Sequence, residues 1–338
     1  MKRVVYAQRG GLEAIEIIEE EPPAPNEGEV LIEVHRAGIN FADLMMRQGL
    51  YGAAPDFPFT PGYEVSGIIK SIGQNVKGHN IGDRVVALTG FGGYAEQVVV
   101  LQERVWKLPD TVSFDAAAAL PVTYLTSHHM LVHLGNFRKG DTILVHHAAG
   151  GVGTATAQLA KVLGAGAVYG TASANKSDFV EEQGMIHIPR GEDFVKRIKE
   201  EIGGVHHALD PVGGSHIMDS YKALRNGGRL YVFGASSAVK GPKRSMLKAL
   251  NMWRKTPRFD PIRMMNSNKS VFGVHMGMWK DEDVMKEQMI SLAEMLSLGL
   301  INPVVDSVYR YEDVAEAQKY IHDRGNRGKV LLDFSPRN

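Results

Sequence analysis

The sequence predicts an α/β protein that joins a strand-rich region to a doubly wound parallel sheet. Residues 1–105 contain short β-branched segments interrupted by Gly, Pro or Asn, which is typical of strands and turns. From residue 115 onward, strand-like and helix-like segments alternate, and this order indicates a parallel sheet. The chain has 338 residues and 44% hydrophobic content, which is enough for about two domains.

The elements of the first region follow from their β-branched composition. The predicted strands are RVVYAQ (3–8), LEAIEIIE (12–19), VLIEVHRAGI (30–39), EVSGIIKSI (64–72), DRVVAL (83–88) and YAEQVVV (94–100). PPAPNEG at 22–28 is a predicted turn region.

A helical segment at 115–135 leads into the alternating region. Strands are predicted at 143–147, 167–172, 206–212 and 229–235, with VFGVHM (271–276) as the candidate last strand of this sheet. A helix follows at 283–299, and GKVLLDF (328–334) is the final strand. The helix has one apolar face, formed by Val284, Met285, Met289, Leu292, Met295 and Leu296.

The composition excludes several classes of protein. Lys plus Arg and Asp plus Glu number 38 each, and this balance argues against a nucleic-acid-binding protein. The chain has no cysteine, so disulfides and thiolate-held metals are excluded. No apolar run is long enough for a membrane-spanning helix or a signal peptide, and we expect a cytoplasmic protein.

A glycine cluster lies between a predicted strand and a predicted helix, at residues 148–153. It fits the dinucleotide-binding pattern G-x-G-x-x-G with Ala148 in the first position. Gly150 allows backbone amides to approach a pyrophosphate, and Gly153 allows the helix to pack close to the strand. The unpaired amides of a helix N-terminus favour phosphate. The predicted cofactor-binding residues here are Ala149, Gly150, Gly151, Val152 and Gly153.

The end of the second parallel strand indicates which dinucleotide is bound. NAD sites usually place Asp or Glu there, but this chain has Ala172 and Ser173, with no acidic residue before Asp178. Lys176 follows, and a neutral turn with a lysine suits a 2′-phosphate. We therefore predict NADPH, bound through Ser173 and Lys176; the alternative is a solvated lysine at a helix start.

Several motifs together resemble the medium-chain dehydrogenase/reductase superfamily. They are AGINFADLMMRQGLYG, FTPGYEVSGIIKSIGQNV, GDRV, AAGGVG, GTASANK and GKVLL. The chain is most similar to the zinc-free quinone oxidoreductases. Within these it resembles the branch named after the synaptic vesicle membrane protein (vesicle amine transport protein-like). NFADLMMRQGLY, DPVGGS, GPKR and PVVDSV indicate this branch.

The resemblance implies two domains. A GroES-like β-barrel catalytic domain is expected at 1–122 and 279–338, and a Rossmann NADP-binding domain at 123–278. Zinc-dependent relatives carry Cys at the position of Asn40 and His at that of Tyr63, whereas Glu64 remains. We therefore expect no catalytic metal. The resemblance also implies a homodimer, with VFGVHM as the pairing edge.

The resemblance assigns Asn40 and Tyr51 to the substrate site. Asn40 is expected to orient the substrate through its amide, and Tyr51 to donate its hydroxyl proton in a hydrogen bond. Asn40 as a turn residue and Tyr51 as a packing residue remain alternatives. Further cofactor contacts are expected from Thr123, Gly234, Phe272, Gly273, Val274 and Lys329. Arg190 lies where many relatives carry a Tyr near the adenosine phosphate, and it either replaces that contact or is an ordinary surface residue.

These observations predict a zinc-free, NADPH-dependent oxidoreductase that reduces quinones or related α,β-unsaturated carbonyls. An enone or enoyl reductase is an alternative, because the same hydride delivery serves a conjugated carbonyl. A second alternative is an NADPH-binding, membrane-associated protein with little turnover. Residues 239–259 hold seven basic residues and no acidic one, and they either contact an anionic membrane or pack as a lid helix.

Three His-His pairs stand out, at 128–129, 146–147 and 206–207. His129 and His133 have metal-chelating spacing on a helix, but the sequence places no third ligand beside them. Adjacent strand residues point to opposite faces, so the pair at 146–147 is a poor chelator. We therefore predict no metal site. Asp210, at a strand end, is expected to form a turn.

Overall fold

The chain divides into two compact units in the structure, a computed structural model that describes residues 1–239, 241 and 245–337 (for Lys248, the backbone only). The first, here called the mixed-sheet unit, is built mainly from Met1–Leu125 and Lys280–Asn338. The second, the parallel-sheet unit, comprises Thr126–Lys240 and Ser245–Trp279. The boundaries predicted at residues 122/123 and 278/279 stay a prediction of where the functional domains meet.

The mixed-sheet unit begins with seven strands and two short helices, and a third helix, α3, starts in it. The strands are β1 (Lys2–Tyr6), β2 (Ile15–Glu19), β3 (Glu29–Ile39), β4 (Glu64–Ile72), β5 (Arg84–Leu88), β6 (Gln97–Leu101) and β7 (Val105–Lys107). The helices are α1 (Phe41–Arg47), α2 (Phe114–Ala118) and α3 (Pro121–His128). All six predicted strands of this region are present.

The parallel-sheet unit alternates strands with helices. Its strands are β8 (Thr142–His146), β9 (Ala167–Ala172), β10 (Ile186–Pro189), β11 (Val205–Asp210), β12 (Leu224–Val232) and β13 (Ser270–Gly273). Its helices are α4 (Gly151–Leu163), α5 (Ser177–Glu182), α6 (Phe194–Ile202), α7 (His216–Ala223), α8 (Met246–Lys255) and α9 (Pro261–Ser267). A π-helical segment, His129–Leu134, continues α3.

The chain then completes the mixed-sheet unit with α10 (Glu282–Ser297), β14 (Val305–Arg310), α11 (Val314–His322) and β15 (Lys329–Asp333). The sheet order is β14-β15-β3-β4-β5-β7, and β6 also pairs with β3. β15 runs antiparallel to β3, with Val330 opposite Ile39. The last strand therefore places its residues beside the end of β3.

The six strands of the second sheet are all parallel, in the order β10-β9-β8-β11-β12-β13. Alternate residues of β8 supply separate cores on its two faces: Ile143 and Val145 belong to one, and Leu144 to the other. Such alternation buries both faces, as a doubly wound sheet requires. The predicted α/β fold class is confirmed.

The described residues contain no helix that is long and apolar enough to cross a bilayer. The segment predicted at 239–259 includes α8, a helix exposed on one face. Residues 240 and 242–244 of that segment lie outside the described residues.

Candidate active site

Asn40 lies directly after β3 and caps the N-terminus of α1. The Asp43 carboxylate accepts a hydrogen bond from the Asn40 backbone amide, at 2.7 Å, so helix and cap fix each other. The Asn40 side chain is thereby held at the end of a strand that contributes Val30, Ile32, Val34, Ala37 and Ile39 to the core.

Glu64 and Lys329 hold both ends of the Asn40 amide. Asn40 Nδ2 donates to Glu64 Oε1 at 2.8 Å, and Lys329 Nζ donates to Asn40 Oδ1 at 2.6 Å. Lys329 Nζ also pairs with Glu64 Oε1 at 2.5 Å, and both side chains are almost wholly buried. Buried charges need such pairing to offset their loss of hydration. We call this set the Asn40–Glu64–Lys329 network.

Glu64 extends this network to α3. Its Oε2 accepts a hydrogen bond from the Val122 amide at 2.7 Å, next to Thr123. The Thr123 hydroxyl donates to Ala119 O at 2.8 Å, and the residue is buried. The structure thus connects Asn40, Lys329 and the start of α3 through one carboxylate. Cofactor contacts by Thr123 and Lys329 stay predictions, but the Lys329 ammonium has protein partners of its own.

Tyr51 lies in an apolar, aromatic part of the mixed-sheet unit. It is half-buried beside Tyr63, and the Tyr63 hydroxyl hydrogen-bonds to it. The Tyr51 hydroxyl is already protonated at neutral pH, and burial raises its pKa further, so it remains a hydrogen-bond donor. The side chains packed in the same cluster are Tyr6, Ile15, Ala42, Met46, Ala54, Phe57, Phe59 and Phe91.

Asp43 was not singled out by the sequence, yet it is fully buried next to the network. Its Oδ2 accepts a hydrogen bond from the Tyr94 hydroxyl at 2.7 Å. Burial raises the pKa of Asp43 to about 7. The only sequence signal was its place three residues after the helix cap, where an acidic residue completes a capping box.

The glycine turn lies at the carboxyl end of β8, as predicted. Gly150 is the residue before α4 and has an extended backbone. As a glycine it provides no side chain to cap the helix, so the first backbone amides of α4 receive no hydrogen bond from a capping side chain. A Cβ on Gly153 would lie 2.2 Å from Ala148 O, which shows that the helix packs directly on the strand end. Ala149 is buried, and Val152 is half-buried. This arrangement fits a dinucleotide pyrophosphate.

The residues predicted for the adenosine end come together at the end of β9. Ser173 follows the strand, and Lys176 closes a 3₁₀ turn with its side chain buried. The alternative of a solvated lysine at a helix start is therefore wrong, because Lys176 is only 8% exposed, whereas its contact with a 2′-phosphate stays a prediction. The Arg190 amide donates to Ala172 O at 2.7 Å, which brings this exposed residue beside the same strand end.

The remaining predicted cofactor residues lie at the ends of β12 and β13. A Cβ on Gly234 would lie 2.8 Å from Pro211 O, so only glycine fits that approach. The Val274 amide donates to Val232 O at 2.9 Å, which continues the pairing begun by Phe272 and Gly273 in β13. These residues share the carboxyl edge of the parallel sheet with the glycine turn, where such sheets bind ligands.

The structure also shows a polar cluster that the sequence argument missed. His146, Asp210 and His216 have side-chain ligand atoms within 4.8 Å of one another. Asp210 does form the expected turn, since its Oδ1 accepts the amides of Val212 and Gly213. The cluster was hidden because its members end two different strands and begin a helix.

Comparisons with known proteins agree with this architecture. A family model described as Alcohol dehydrogenase GroES-like domain matches residues 26–110, and one described as Zinc-binding dehydrogenase matches residues 151–294. The synaptic vesicle membrane protein VAT-1 homolog of Danio rerio is 35% identical over 340 residues, covering 99% of this chain and 70% of the relative.

The alignments with two further proteins cover almost the whole of both chains. The human quinone oxidoreductase is 30% identical, over 98% of this chain and 97% of its own. The crystal structure of Escherichia coli quinone oxidoreductase complexed with NADPH aligns with a TM-score of 0.86 at 28% identity. That alignment covers 98% of this chain and 100% of that one. The chain therefore belongs to the medium-chain dehydrogenase/reductase superfamily of oxidoreductases, in the group of the quinone oxidoreductases and VAT-1 homologues, as its motifs had indicated.

Proposed function

We propose that the protein reduces quinones, or related α,β-unsaturated carbonyls, with NADPH and without a catalytic metal. The observation that carries the proposal is the Asn40–Glu64–Lys329 network. It joins a buried ammonium, an amide and a carboxylate at Asn40, the residue that the resemblance aligns with a cysteine of zinc-dependent relatives.

The donor set of this network does not suit zinc. A cation bound by Asn40 Oδ1 or Glu64 Oε1 would lie next to the Lys329 ammonium, which already contacts both oxygens. Like charges this close in a buried site repel strongly. The chain also offers no cysteine, and Tyr63 replaces the imidazole of the zinc-dependent pattern. We therefore propose that the Lys329 ammonium, and not a metal ion, supplies the positive charge in this network.

The parallel-sheet unit fits NADPH at two points. The N-terminus of α4 supplies backbone amides for the pyrophosphate, and the buried Lys176 with Arg190 supplies positive charge beside Ser173 for a 2′-phosphate. The E. coli quinone oxidoreductase, which this chain resembles in fold, is complexed with NADPH. Bound NADPH supplies the hydride of the reaction.

The chain itself supplies positioning and hydrogen bonds. Tyr51 keeps its proton and donates to the carbonyl oxygen as negative charge develops on it. Asn40 orients the acceptor, because Glu64 and Lys329 fix its amide plane. The aromatic side chains around Tyr51 favour a flat, conjugated substrate. An enone or enoyl group meets the same requirements and remains an alternative substrate.

A panel of quinones and enones, with NADPH oxidation as the readout, tests this function. Chelator-treated protein should turn over at least one quinone, and Tyr51→Phe should lower kcat at least about tenfold by removing one donor to the developing charge. Tyr309→Phe, in β14, is the matched control and should retain wild-type kcat. Turnover that returns only when zinc is added, both in the wild type and in His216→Ala, would refute the metal-free mechanism.

The preference for NADPH has its own test at Lys176. Loss of one charge-assisted hydrogen bond costs about 1.5–3 kcal/mol, so Lys176→Ala should weaken NADPH binding about 10- to 100-fold. Binding of NADH should change little. Lys161→Ala, an exposed lysine of α4, serves as the control. An unchanged ratio of the two dissociation constants in Lys176→Ala would assign the phosphate to other residues.

A specific observation favours a second function, attachment to a membrane surface. α8 and α9 expose large apolar side chains: Leu247 is 81% exposed and Trp253 66%. Met246, Leu250, Ile262 and Met265 are also exposed. Arg254 and Lys255 lie at the end of α8, so apolar and basic groups share this surface, as in helices that bind anionic membranes.

Sedimentation with liposomes decides whether this surface binds lipid. We expect more protein to pellet with anionic vesicles than with neutral ones, and Leu247→Asp with Trp253→Asp to abolish the difference. Ile81→Asp places a charge at an equally exposed apolar position of the mixed-sheet unit and should have no effect. Equal pelleting with both vesicle types would leave the lid-helix interpretation.

We also propose a homodimer paired through β13, one of the two edge strands of the parallel sheet in the described residues. Its residue Val271 is only half-buried. Sedimentation equilibrium should give twice the chain mass of 37.0 kDa. A proline at Val271 should shift the protein towards monomer, because proline cannot donate a backbone hydrogen bond. A monomeric wild-type protein would contradict the proposal.

A further inference from the structure

A cluster of polar side chains lies at the carboxyl edge of the parallel sheet, and the proposed reduction makes no use of it. His146 ends β8, Asp210 ends the neighbouring strand β11, and His216 begins α7. His146 and Asp210 are almost fully buried, whereas the His216 side chain is 28% exposed. The cluster therefore reaches solvent through His216.

We propose that His146, Asp210 and His216 bind one divalent transition-metal ion, with Zn²⁺ the best suited. Each residue offers a ligand atom, and these atoms lie within 4.8 Å of one another. Two imidazoles and one carboxylate are a donor set that zinc prefers. A tetrahedral ion with bonds of 2.0–2.1 Å needs ligand atoms about 3.3 Å apart.

Neighbouring groups already aim two of the ligands at a common point. Thr171 Oγ1 lies 2.8 Å from His146 Nδ1, which leaves His146 Nε2 facing the cluster. The amides of Val212 and Gly213 donate to Asp210 Oδ1 at 2.7 and 3.1 Å, which leaves Oδ2 facing it. Such partners fix ligand orientation in metal sites.

A purely structural hydrogen-bond network is the competing interpretation. Ser220 Oγ donates to Asp210 Oδ2 at 2.7 Å and lies 3.1 Å from His146 Nε2, while His216 Nδ1 lies 2.8 Å from Asp210 Oδ2. Ser220 donates to the carboxylate and not to an imidazole, so it is not an activated nucleophile. In the metal-bound form, the Ser220 hydroxyl or a water fills the fourth position.

The ion would connect two strand ends, one of which leads into the predicted cofactor turn. His146 leads directly into the glycine turn at 148–153, and Asp210 leads into the turn whose Pro211 O accepts the Ser236 amide. The ion would therefore stabilise the parallel-sheet unit against unfolding. This role does not involve Asn40 or Glu64, which belong to the mixed-sheet unit.

Calorimetric titration of the chelator-stripped, full-length protein with Zn²⁺ tests the site. We expect one ion per chain, a higher Tm with Zn²⁺, and visible absorbance when Co²⁺ replaces Zn²⁺. His216→Ala should weaken binding at least tenfold and remove the Co²⁺ absorbance. Should His216→Ala fail to fold, His216→Gln keeps a hydrogen-bonding side chain beside Asp210 and should show the same loss.

Two control variants separate this site from other histidines. His206→Ala removes an imidazole that lies near Asp141, at the end of β11 opposite to Asp210. His133→Ala removes the imidazole whose ring centre lies 4.9 Å from that of His129. Both should bind Zn²⁺ as the wild type does. The proposal is overturned if wild-type protein takes up no stoichiometric ion, or if His216→Ala and His216→Gln bind it with unchanged affinity.

Discussion

Asp43 lies wholly out of contact with solvent beneath Asn40, and it shows how one residue couples stability to pH. Its folded pKa of about 7 lies above the value of 3.8 for an exposed carboxyl. The folded chain therefore binds more protons than the unfolded chain between these values. As a result, the contribution of Asp43 to the free energy of unfolding is full below about pH 4 and is lost as pH rises through about 7.

Asp43→Asn should remove this dependence. The amide oxygen that the substitution introduces can still accept from Tyr94 and from the Asn40 backbone, so the contacts on that side persist. Between pH 4 and pH 8, the free energy of unfolding of the wild type should fall by up to about 4 kcal/mol more than that of the variant. Urea unfolding at several pH values measures this, with exposed Asp56→Asn as the control. Identical slopes in wild type and Asp43→Asn would contradict it.

Sequence reasoning found the candidate site residues more readily than their partners. Asn40 and Tyr51 were identified from a resemblance, and they lie in the same unit of the structure. The Glu64–Lys329 pair was missed, since the two residues are 265 positions apart and no spacing rule joins them. Lys329 was assigned to the cofactor only, whereas the pairing of β15 with β3 brings it to Asn40.

At the scale of the elements, two glycines of the strand–turn–helix formed by β8 and α4 differ in the space around them. A Cβ at Gly153 would lie 2.2 Å from a backbone oxygen, whereas at Gly150 the nearest atom is 3.2 Å away. Gly153→Ala should therefore cost about 1–3 kcal/mol of stability through overpacking. Gly150→Ala should leave stability nearly unchanged but weaken NADPH binding about tenfold or more, because the methyl group would obstruct the pyrophosphate.

Thermal unfolding and NADPH titration of both variants check this pair. The two measurements should separate: stability falls chiefly in Gly153→Ala, and affinity falls without loss of stability in Gly150→Ala. Wild-type affinity in Gly150→Ala would show that the pyrophosphate does not approach this position.

Element types followed from sequence wherever periodicity was strong. The helix predicted at 283–299 is α10, Glu282–Ser297, whose start is set by the Asp281 carboxylate accepting the Val284 amide. The π-helical segment at His129–Leu134 was not predicted, because its one-residue widening leaves no mark in the hydrophobic pattern. There the rings of His129 and Trp279 lie 4.2 Å apart.

At the scale of the whole molecule, the buried ion pair between Glu64 and Lys329 links distant parts of the chain. Lys329→Met should cost about 3–5 kcal/mol, since it leaves the Glu64 carboxylate buried and unpaired. Glu64→Gln combined with Lys329→Met should be more stable than Lys329→Met alone, because the unpaired charge is gone. Urea unfolding of the two single variants and the double variant measures this coupling. Additive effects of the two substitutions would show that the pair does not act as a unit.

The large-scale organisation was predictable only in part. The order of strand-like and helix-like segments gave the parallel sheet, as the run from β8 to β12 shows. Nothing in local pattern indicates that 280–337 return to the first unit, and only the family resemblance implied it. This return brings together residues such as Tyr6 and Gln318, which are hydrogen-bonded at 2.6 Å. Patterns within one segment of the sequence cannot predict such contacts.

The place of β15 between β14 and β3 affects how the protein emerges from the ribosome. All residues of the parallel-sheet unit are synthesised before Lys280, so that unit can fold on the nascent chain. The mixed sheet has to wait for residues 329–333, and until then the part of β3 at 36–39 is an open edge. This strand edge, which can pair with other chains, therefore stays uncovered during most of translation. We expect holdase chaperones to determine the yield of this protein in cells.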